Sequence, residues 1–300
     1  MKLHNFNSGP SILPQSVLEE ASGAIINFND TGLSVLEIGH RTAWFQEVLN
    51  EAITSVKQLM QLDDSYEVLF LHGGATTQFM QVPMNLLDED ETAAYCDNGI
   101  WGSKASKEAV LFGNVQVVAD TSDKKHTYIQ KEFNIPDNAK YLHITSNNTV
   151  EGTQWHHYPH TSVPLVADMS SDIFSRPADF KKFALIYAGA QKNMGAAGVN
   201  LVVIRKDILG KVKRKIPTIM NYQKHIDAGS LMNTPPVFAV YVSMLTLRWI
   251  IAEGGLAEMA ERNTAKSALL YDTLDSLPLF TGTVIKEDRS QMNAIFFLQN

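Results

Sequence analysis

Short apolar runs alternate with amphipathic stretches over most of the chain. The runs are five or six residues long and rich in Val, Ile, Leu and aromatic residues, which is typical of strands buried in a sheet. They predict seven strands, at residues 67–71, 92–96, 115–119, 141–145, 163–167, 184–188 and 199–204.

Helical patterns lie between several of these runs, with apolar residues three or four positions apart. They predict helices at 42–61, 78–87, 102–112 and 237–253, the last with two prolines before it and two glycines after it. Alternation of strands and helices indicates an α/β fold with a mostly parallel sheet covered by helices on both faces. In such folds ligands bind beyond the carboxyl ends of the strands.

The pattern changes after Gly255. A long polar-amphipathic helix is predicted at 256–277, followed by strand-like stretches at 282–286 and 293–298. We therefore predict a large domain over residues 1–255, with an N-terminal segment, and the start of a smaller C-terminal α/β domain over 256–300. The last apolar run would leave an unpaired sheet edge, so we expect the sequence to be shorter than the complete fold.

Charge and composition narrow the function classes. The chain of 300 residues has 25 Lys and Arg against 32 Asp and Glu, a net charge of −7, which argues against a nucleic-acid partner. We expect no signal peptide and no membrane span, because no apolar stretch has the required length. The single cysteine, Cys96, is consistent with a cytoplasmic protein. The histidines show no ligand spacing, so we predict no metal site.

A carboxylate and a lysine follow two nearby predicted strands. Asp168 comes directly after the strand at 163–167, and Lys192 lies in the turn after the strand at 184–188. Because parallel strands end at one edge of a sheet, both side chains can reach the same ligand. Pyridoxal phosphate chemistry needs a lysine that forms a Schiff base and an aspartate that keeps a pyridinium nitrogen protonated. Each residue alone is equally consistent with a solvated or turn-forming side chain.

Three further features lie where predicted strands end. Gly73 and Gly74 precede a helix whose N–H groups, with the Thr76 hydroxyl, could cradle a phosphate, although an ordinary glycine-rich turn explains the pattern equally well. Trp101 could stack on a planar ring or simply pack under a loop. Thr149 could donate its hydroxyl to the same ligand or serve only as a turn residue.

His40 and Arg41 form a cationic pair just before a predicted helix. The planar guanidinium suits a carboxylate or a phosphate, and the imidazole adds a second cation when it is protonated. A helix start disfavours a cation, which favours a functional role over a surface role. We expect this pair to bind an acidic group of the substrate.

These residues together resemble the class V pyridoxal phosphate-dependent aminotransferases, which have the fold type I architecture. The resemblance extends over essentially the whole chain, and its motifs are specific in combination. They are NFNSGP at 5–10, EIGHR at 37–41, HGGATTQF at 72–79, GIWG at 99–102, ADMSSD at 167–172, AGAQKN at 188–193 and NTPP at 233–236.

The resemblance implies a role for each candidate residue. It implies that pyridoxal 5'-phosphate is held by Lys192, paired at its ring nitrogen by Asp168 and stacked by Trp101. It also implies a homodimer with shared active sites. The implied cofactor contacts are completed by Ala75, Thr76 and Gln191 at the phosphate, by Thr149, and by Asn233 and Thr234 from the neighbouring subunit, while Arg41 and His40 bind the substrate acid group.

The resemblance also implies a reaction, in which L-glutamate and 3-phosphohydroxypyruvate give 2-oxoglutarate and O-phospho-L-serine for serine biosynthesis. One alternative is another class V activity, such as alanine:glyoxylate aminotransferase or cysteine desulfurase, although Cys96 in a strand is poorly placed for the latter. The other is a truncated homologue that binds the cofactor without catalysis. Two departures bear on this choice. Some family members have an arginine at the position of Thr76, and the family's small domain continues beyond residue 300 with another substrate-binding arginine.

Overall fold

A computed structural model describes residues 3–299, which form a mixed α/β fold around a central sheet. The strands are β1 (Tyr66–His72), β2 (Thr92–Asp97), β3 (Asn114–Asp120), β4 (Ala139–Thr145), β5 (Asn147–Asn148), β6 (Thr153–Gln154), β7 (Leu165–Asp168), β8 (Phe183–Gly189), β9 (Val199–Arg205), β10 (Phe280–Gly282) and β11 (Phe296–Leu298). The α-helices are α1 (Gln15–Ile26), α2 (Ala43–Met60), α3 (Ala75–Leu86), α4 (Ile100–Ala109), α5 (Tyr222–Asp227), α6 (Val237–Ala252) and α7 (Gly255–Ser276).

The central sheet contains seven strands in the order β1-β9-β8-β7-β4-β2-β3. Neighbouring strands from β8 to β3 are parallel, whereas β9 is antiparallel to both β8 and β1. Each of these strands overlaps one of the seven predicted runs. The prediction of a mostly parallel α/β sheet is therefore confirmed.

Helices cover both faces of this sheet, and alternate residues of its strands enter two separate cores. In β1, Val68 and Phe70 pack into the core that contains α2 and α6. Their neighbours Leu69 and Leu71 pack into the core that contains α3 and α4. This period of two is the geometry of a strand buried on both faces, and it explains why the runs are apolar throughout.

The topology brings five connections to one edge of the sheet. Because β1, β2, β4, β7 and β8 run in the same direction, their carboxyl ends meet at that edge. The segments after these strands contain the glycine turn before α3, Trp101, Thr149 and Lys192, and Asp168 is the last residue of β7. The predicted location of the site at the carboxyl edge follows from this arrangement.

Several predicted boundaries were wrong. Helix α3 begins at Ala75 rather than at residue 78, because Gly74 is extended and ends the turn at Gly73, whose φ is +89°. Helix α4 begins at Ile100 rather than at 102. Strand β7 begins at Leu165 rather than at 163, after Pro164, which has no N–H for the ladder. Helix α1 was not predicted.

The C-terminal part also differs from the prediction. The expected strand at 282–286 is wrong, since β10 ends at Gly282 and residues 286–288 form a 3-10 turn. Strand β11 is shorter than the expected 293–298 and pairs antiparallel with β10. Among residues 3–299 no single helix is long and apolar enough to span a membrane; only α6 joined to α7 passes that test, and these two helices meet at a bend of 86°.

Candidate active site

The amine of Lys192 lies among three of the predicted site residues. Its Nζ donates a hydrogen bond of 2.6 Å to Oγ1 of Thr149 and lies 5.9 Å from the centre of the Trp101 ring. Burial lowers the pKa of Lys192, and the negative charges of Asp168 and Asp172 oppose that shift. A lower pKa increases the fraction of neutral amine, which is the nucleophilic form.

Asp168 is a buried carboxylate at the end of β7, with 4% of its surface exposed. Its Oδ1 accepts a hydrogen bond of 2.9 Å from the N–H of Ser170. Burial raises the pKa of Asp168, while the Ser170 hydrogen bonds and the charge of Lys192 lower it. No cationic side chain among residues 3–299 forms a hydrogen bond or ion pair with this carboxylate, so a cationic ligand group would relieve the cost of its burial.

Trp101 lies in the first turn of α4 and packs toward α3. Its ring centre is 6.4 Å from that of Phe79 in α3, and Phe79 in turn contacts Tyr187 of β8. Ala75 and Thr76 form the first turn of α3, one turn before Phe79. The N-cap of α3 is a glycine, so no side chain of its own caps the first N–H groups, which are the usual anion-binding groups of a helix.

The N-terminal segment packs against the lysine, a role that the sequence analysis did not assign. The N–H of Ser11 donates 2.9 Å to the carbonyl of Gln191, and its hydroxyl donates to the carbonyl of Lys192. A Cβ at Gly9 would lie 2.8 Å from Cγ of Lys192. A side chain at residue 9 would displace the lysine stem, and in the sequence this segment stands out only as the NFNSGP motif at 5–10. The side-chain amide of Gln191 lies against Gly189.

The remaining predicted residues lie outside the contacts of Lys192. Arg41 is exposed and makes no hydrogen bond or ion pair among residues 3–299, and Nε2 of His40 is buried without a partner there. The carbonyl of Thr234 is bonded by the ring of His72 at the end of β1, and Asn233 is half-buried beside it in sequence. The structure therefore brings Lys192, Thr149 and Trp101 together, but among residues 3–299 it shows no hydrogen bond or ion pair between them and His40, Arg41, Asn233 or Thr234.

A second buried carboxylate, Asp172, was missed by the sequence analysis. It accepts hydrogen bonds from the Ser146 hydroxyl and, at 3.2 Å, from the Gln154 amide. Burial raises its pKa. The Ser146 N–H and hydroxyl also donate to the carbonyl of Asp168, at 2.9 and 3.0 Å. These contacts hold the ends of β4 and β7 together, which fixes the main chain that presents Asp168.

These features fit the cofactor that the sequence resemblance implies. Asp168 offers a buried carboxylate to a protonated ring nitrogen, Lys192 offers an amine to an aldehyde, and Trp101 offers a flat face. The uncapped first turn of α3 offers N–H donors to a phosphate. Pyridoxal 5'-phosphate carries all four complementary groups, and the donor set therefore matches it chemically.

Comparisons with known proteins point in one direction. The family model described as aminotransferase class-V matches residues 3–299. A curated phosphoserine aminotransferase from Flavobacterium johnsoniae is 54% identical over 100% of this chain and 85% of its own length. A solved phosphoserine aminotransferase from Bacillus circulans subsp. alkalophilus has a TM-score of 0.96 and 43% identity, covering 99% of this chain and 83% of its own. A PLP-bound phosphoserine aminotransferase from Trichomonas vaginalis has a TM-score of 0.94 and 33% identity, covering 99% and 84%.

Proposed function

The chain belongs to the class V aminotransferase family. We propose that it catalyses the transfer of an amino group from L-glutamate to 3-phosphohydroxypyruvate, which gives 2-oxoglutarate and O-phospho-L-serine. The observation that supports this most directly is the convergence of Lys192, Asp168, Trp101 and Thr149 at the carboxyl edge of the sheet. Curated relatives with 54%, 51% and 49% sequence identity to this chain are named phosphoserine aminotransferases.

The alternatives considered from the sequence are not favoured. The alanine–glyoxylate aminotransferase from Nostoc sp. is only 15% identical to this chain and shares the fold. Cysteine desulfurase chemistry would need an accessible thiol, whereas Cys96 is buried in β2 and burial raises its thiol pKa. A catalytically silent homologue is not favoured either, because the amine, the carboxylate and the aromatic face are all retained.

We propose pyridoxal 5'-phosphate as the cofactor, held by Lys192, Asp168, Trp101, Thr149, Ala75, Thr76 and Gln191. When bound, it would supply an electron-withdrawing ring that stabilises negative charge at the substrate Cα. Lys192 would take the proton from the substrate Cα and deliver it to the cofactor carbon that keeps the amino group, and its lowered pKa suits it to this transfer.

Asp168 would keep a proton on the ring nitrogen, and its burial makes that electrostatic contact stronger than it would be in water. Thr149 would orient the lysine amine, since Oγ1 already accepts its hydrogen bond. The N-terminal segment, through Gly9 and Ser11, lies against the lysine stem and carbonyl.

We further propose a cytoplasmic homodimer in which Asn233 and Thr234 of one subunit contact the cofactor phosphate bound by the other subunit. Their position beside His72, outside the contacts of Lys192 in the same chain, is compatible with a role across a two-fold axis. Arg41, exposed and unpaired within residues 3–299, has its guanidinium available for a substrate acid group. The two named substrates each carry two acid groups, which suits a cationic fork.

A half-reaction titration tests this function. Purified holoenzyme is mixed with O-phospho-L-serine, L-glutamate, L-alanine or L-cysteine, and the visible absorbance of the lysine-bound cofactor is followed. We expect O-phospho-L-serine and L-glutamate to deplete the band efficiently and the other two amino acids to act far more slowly. Lys192→Ala is the control that removes the catalytic amine. A preference for L-alanine would instead support the general class V alternative.

A further inference from the structure

Glu151 joins two loops that carry separate parts of the proposed site. Its Oε1 accepts a hydrogen bond of 2.8 Å from the N–H of Ile100, the first residue of α4. Trp101 is the next residue of that helix. Glu151 itself lies in the turn of the β5–β6 hairpin, two residues after Thr149, which accepts the hydrogen bond from Lys192.

The start of α4 has no cap of its own. Its N-cap residue is Gly99, which has no side chain, and there is no acidic residue in its first turn. Helix starts carry unpaired N–H groups and the positive end of the helix dipole, so a carboxylate there is stabilising. Glu151 supplies that carboxylate from 51 residues away in the sequence.

Side chains of the hairpin lie close to Gly99. A Cβ at Gly99 would lie 2.7 Å from Oε2 of Glu151 and 2.7 Å from Oδ1 of Asn148. The φ of Gly99 is 164°, which is extended backbone that any residue can adopt. A side chain at residue 99 would therefore have to displace the ends of the Glu151 and Asn148 side chains, although the backbone conformation itself would allow it.

Two hydrogen bonds close the turn between β5 and β6. The N–H of Gly152 donates 2.8 Å to the carbonyl of Asn148, and the Asn148 amide donates 2.9 Å to the hydroxyl of Thr153. Thr149 is buried between these anchors. A contact made by Glu151 is therefore transmitted to Thr149 through a closed turn rather than through a flexible loop.

We propose that Glu151 is a positioning residue that holds the Trp101 indole and the Thr149 hydroxyl at a fixed separation, so that both would be in place to bind the cofactor. The inference rests on the proposed function, because it concerns the same site. Glu151 itself would touch neither cofactor nor substrate. Its effect would pass through the first turn of α4 on one side and through the hairpin turn on the other.

Two variants of Glu151 and one matched control test this. Glu151→Ala removes the cap, whereas Glu151→Gln keeps a carbonyl acceptor and loses the charge. Glu108→Ala, in the last turn of the same helix, is the control, since the Glu108 side chain makes no hydrogen bond or ion pair within residues 3–299. The affinity for pyridoxal 5'-phosphate is measured from its visible absorbance. Amide hydrogen exchange of residues 97–104 and 145–153 is measured without the cofactor.

We expect Glu151→Ala to weaken cofactor binding by about tenfold, the scale of a lost helix cap, and to speed exchange in both segments. Glu151→Gln should fall between Glu151→Ala and the wild type, and Glu108→Ala should match the wild type. Gly99→Ala, whose methyl group would displace the Glu151 carboxylate, should reproduce part of the loss of affinity. Thermal unfolding of each variant identifies any that fails to fold, and Glu151→Gln then carries the comparison.

Faster exchange only in 97–104, with cofactor affinity and absorbance unchanged in Glu151→Ala, would reduce Glu151 to a local helix cap and overturn the proposal. If the wild type itself binds no pyridoxal 5'-phosphate, the proposed function fails together with the inference that depends on it. The wild-type titration therefore separates the two failures.

Discussion

Nζ of Lys192 donates a hydrogen bond of 2.6 Å to Oγ1 of Thr149, two residues from the carboxylate of Glu151. The amine is thus held at one place by a buried hydroxyl rather than by an ion pair. A hydroxyl leaves the amine free to lose its proton, whereas a paired carboxylate would keep it charged. The hydrogen bond therefore fixes the place of the amine, and the burial of the lysine favours its neutral, reactive form.

The first prediction concerns Lys192. Borohydride treatment of the holoenzyme should fix the cofactor on this residue, because only an amine held near the aldehyde can form the covalent link. Lys192→Ala should bind pyridoxal 5'-phosphate without the visible band of the native protein and should not transaminate. Peptide mass spectrometry locates the label. A label on Lys104, whose Nζ lies 4.6 Å from the Trp101 ring centre, would show that the wrong lysine had been chosen.

The second prediction concerns the charge of Asp168. Asp168→Asn should retain the cofactor but lose about a thousandfold in turnover, because a buried electrostatic contact at the ring nitrogen is removed. Single-turnover rates with O-phospho-L-serine measure the loss. Asp172→Asn, which alters the second buried carboxylate near Lys192, is the comparison and should cost less. Equal activity of Asp168→Asn and the wild type would contradict the role proposed for this residue.

The same substitution should affect the cofactor-free protein in the opposite direction. Burial raises the folded-state pKa of Asp168 above its unfolded value, so the charged side chain destabilises the fold above that raised pKa. The cost disappears as the pH falls through the raised pKa toward the ordinary value. Asp168→Asn should therefore have a higher Tm than the wild type at neutral pH, and the difference should shrink toward about pH 4. Calorimetry of the two cofactor-free proteins across this range measures it.

The sheet could be predicted from the sequence because its strands are buried on both faces and read as apolar runs. The helix starts could not be predicted equally well. Gly73, Gly74 and Thr76 have the composition of a loop, yet the chain turns at the first glycine and the helix already begins at Ala75. The composition of a helix's first turn is set by its ligands and caps rather than by its packing.

The site could be predicted only in part, for a related reason. Asp168 is the last residue of β7 and Lys192 follows the parallel strand β8, so their convergence is a consequence of parallel topology. The contacts of Glu151 with Ile100 and of Ser11 with Lys192 join residues that are 51 and 181 positions apart. No local pattern encodes such pairs, since each depends on how separate loops meet after folding.

A third prediction follows from His143 in β4. Its Nε2 is bonded to the Tyr187 hydroxyl at 2.8 Å, its ring stacks on Tyr95, and its Nδ1 is buried without a partner among residues 3–299. Burial lowers the pKa of His143 to about 3. His143 of the unfolded chain therefore becomes protonated below about pH 6.5, whereas in the folded protein it stays neutral down to about pH 3. The free energy of unfolding falls as the pH falls between these two values.

Compared with His143→Gln, the wild type should lose about 1.4 kcal/mol more of its unfolding free energy per pH unit between about pH 6 and pH 4. Glutamine does not titrate and can still bond Tyr187. Denaturant unfolding at several pH values gives the two slopes. Parallel slopes would mean that His143 takes up its proton in the folded state.

A fourth prediction concerns assembly. We expect sedimentation of the holoenzyme to show a dimer. The double variant Asn233→Ala, Thr234→Ala should bind the cofactor more weakly but remain a dimer. The physical reason is that these side chains would add contacts to the neighbouring cofactor phosphate rather than form the main interface. A monomer that binds the cofactor tightly would contradict the shared site.

The last prediction concerns Arg41 and the substrate. Its guanidinium is exposed and unpaired within residues 3–299, so its loss should leave the fold and the visible band of the cofactor unchanged. A charge-assisted contact to a carboxylate or phosphate contributes roughly 1.5–3 kcal/mol, which corresponds to about a ten- to hundredfold change in affinity. Arg41→Ala should weaken the use of L-glutamate and O-phospho-L-serine by that factor. Arg41→Lys should restore it only partly, because an ammonium cannot form the two parallel hydrogen bonds of a guanidinium. Arg205→Ala is the matched control. It removes an arginine that is paired with Asp207 at the carboxyl end of β9, and it should not change the use of either substrate. If Arg41→Ala binds both substrates as the wild type does, the substrate acid group is held by another cation.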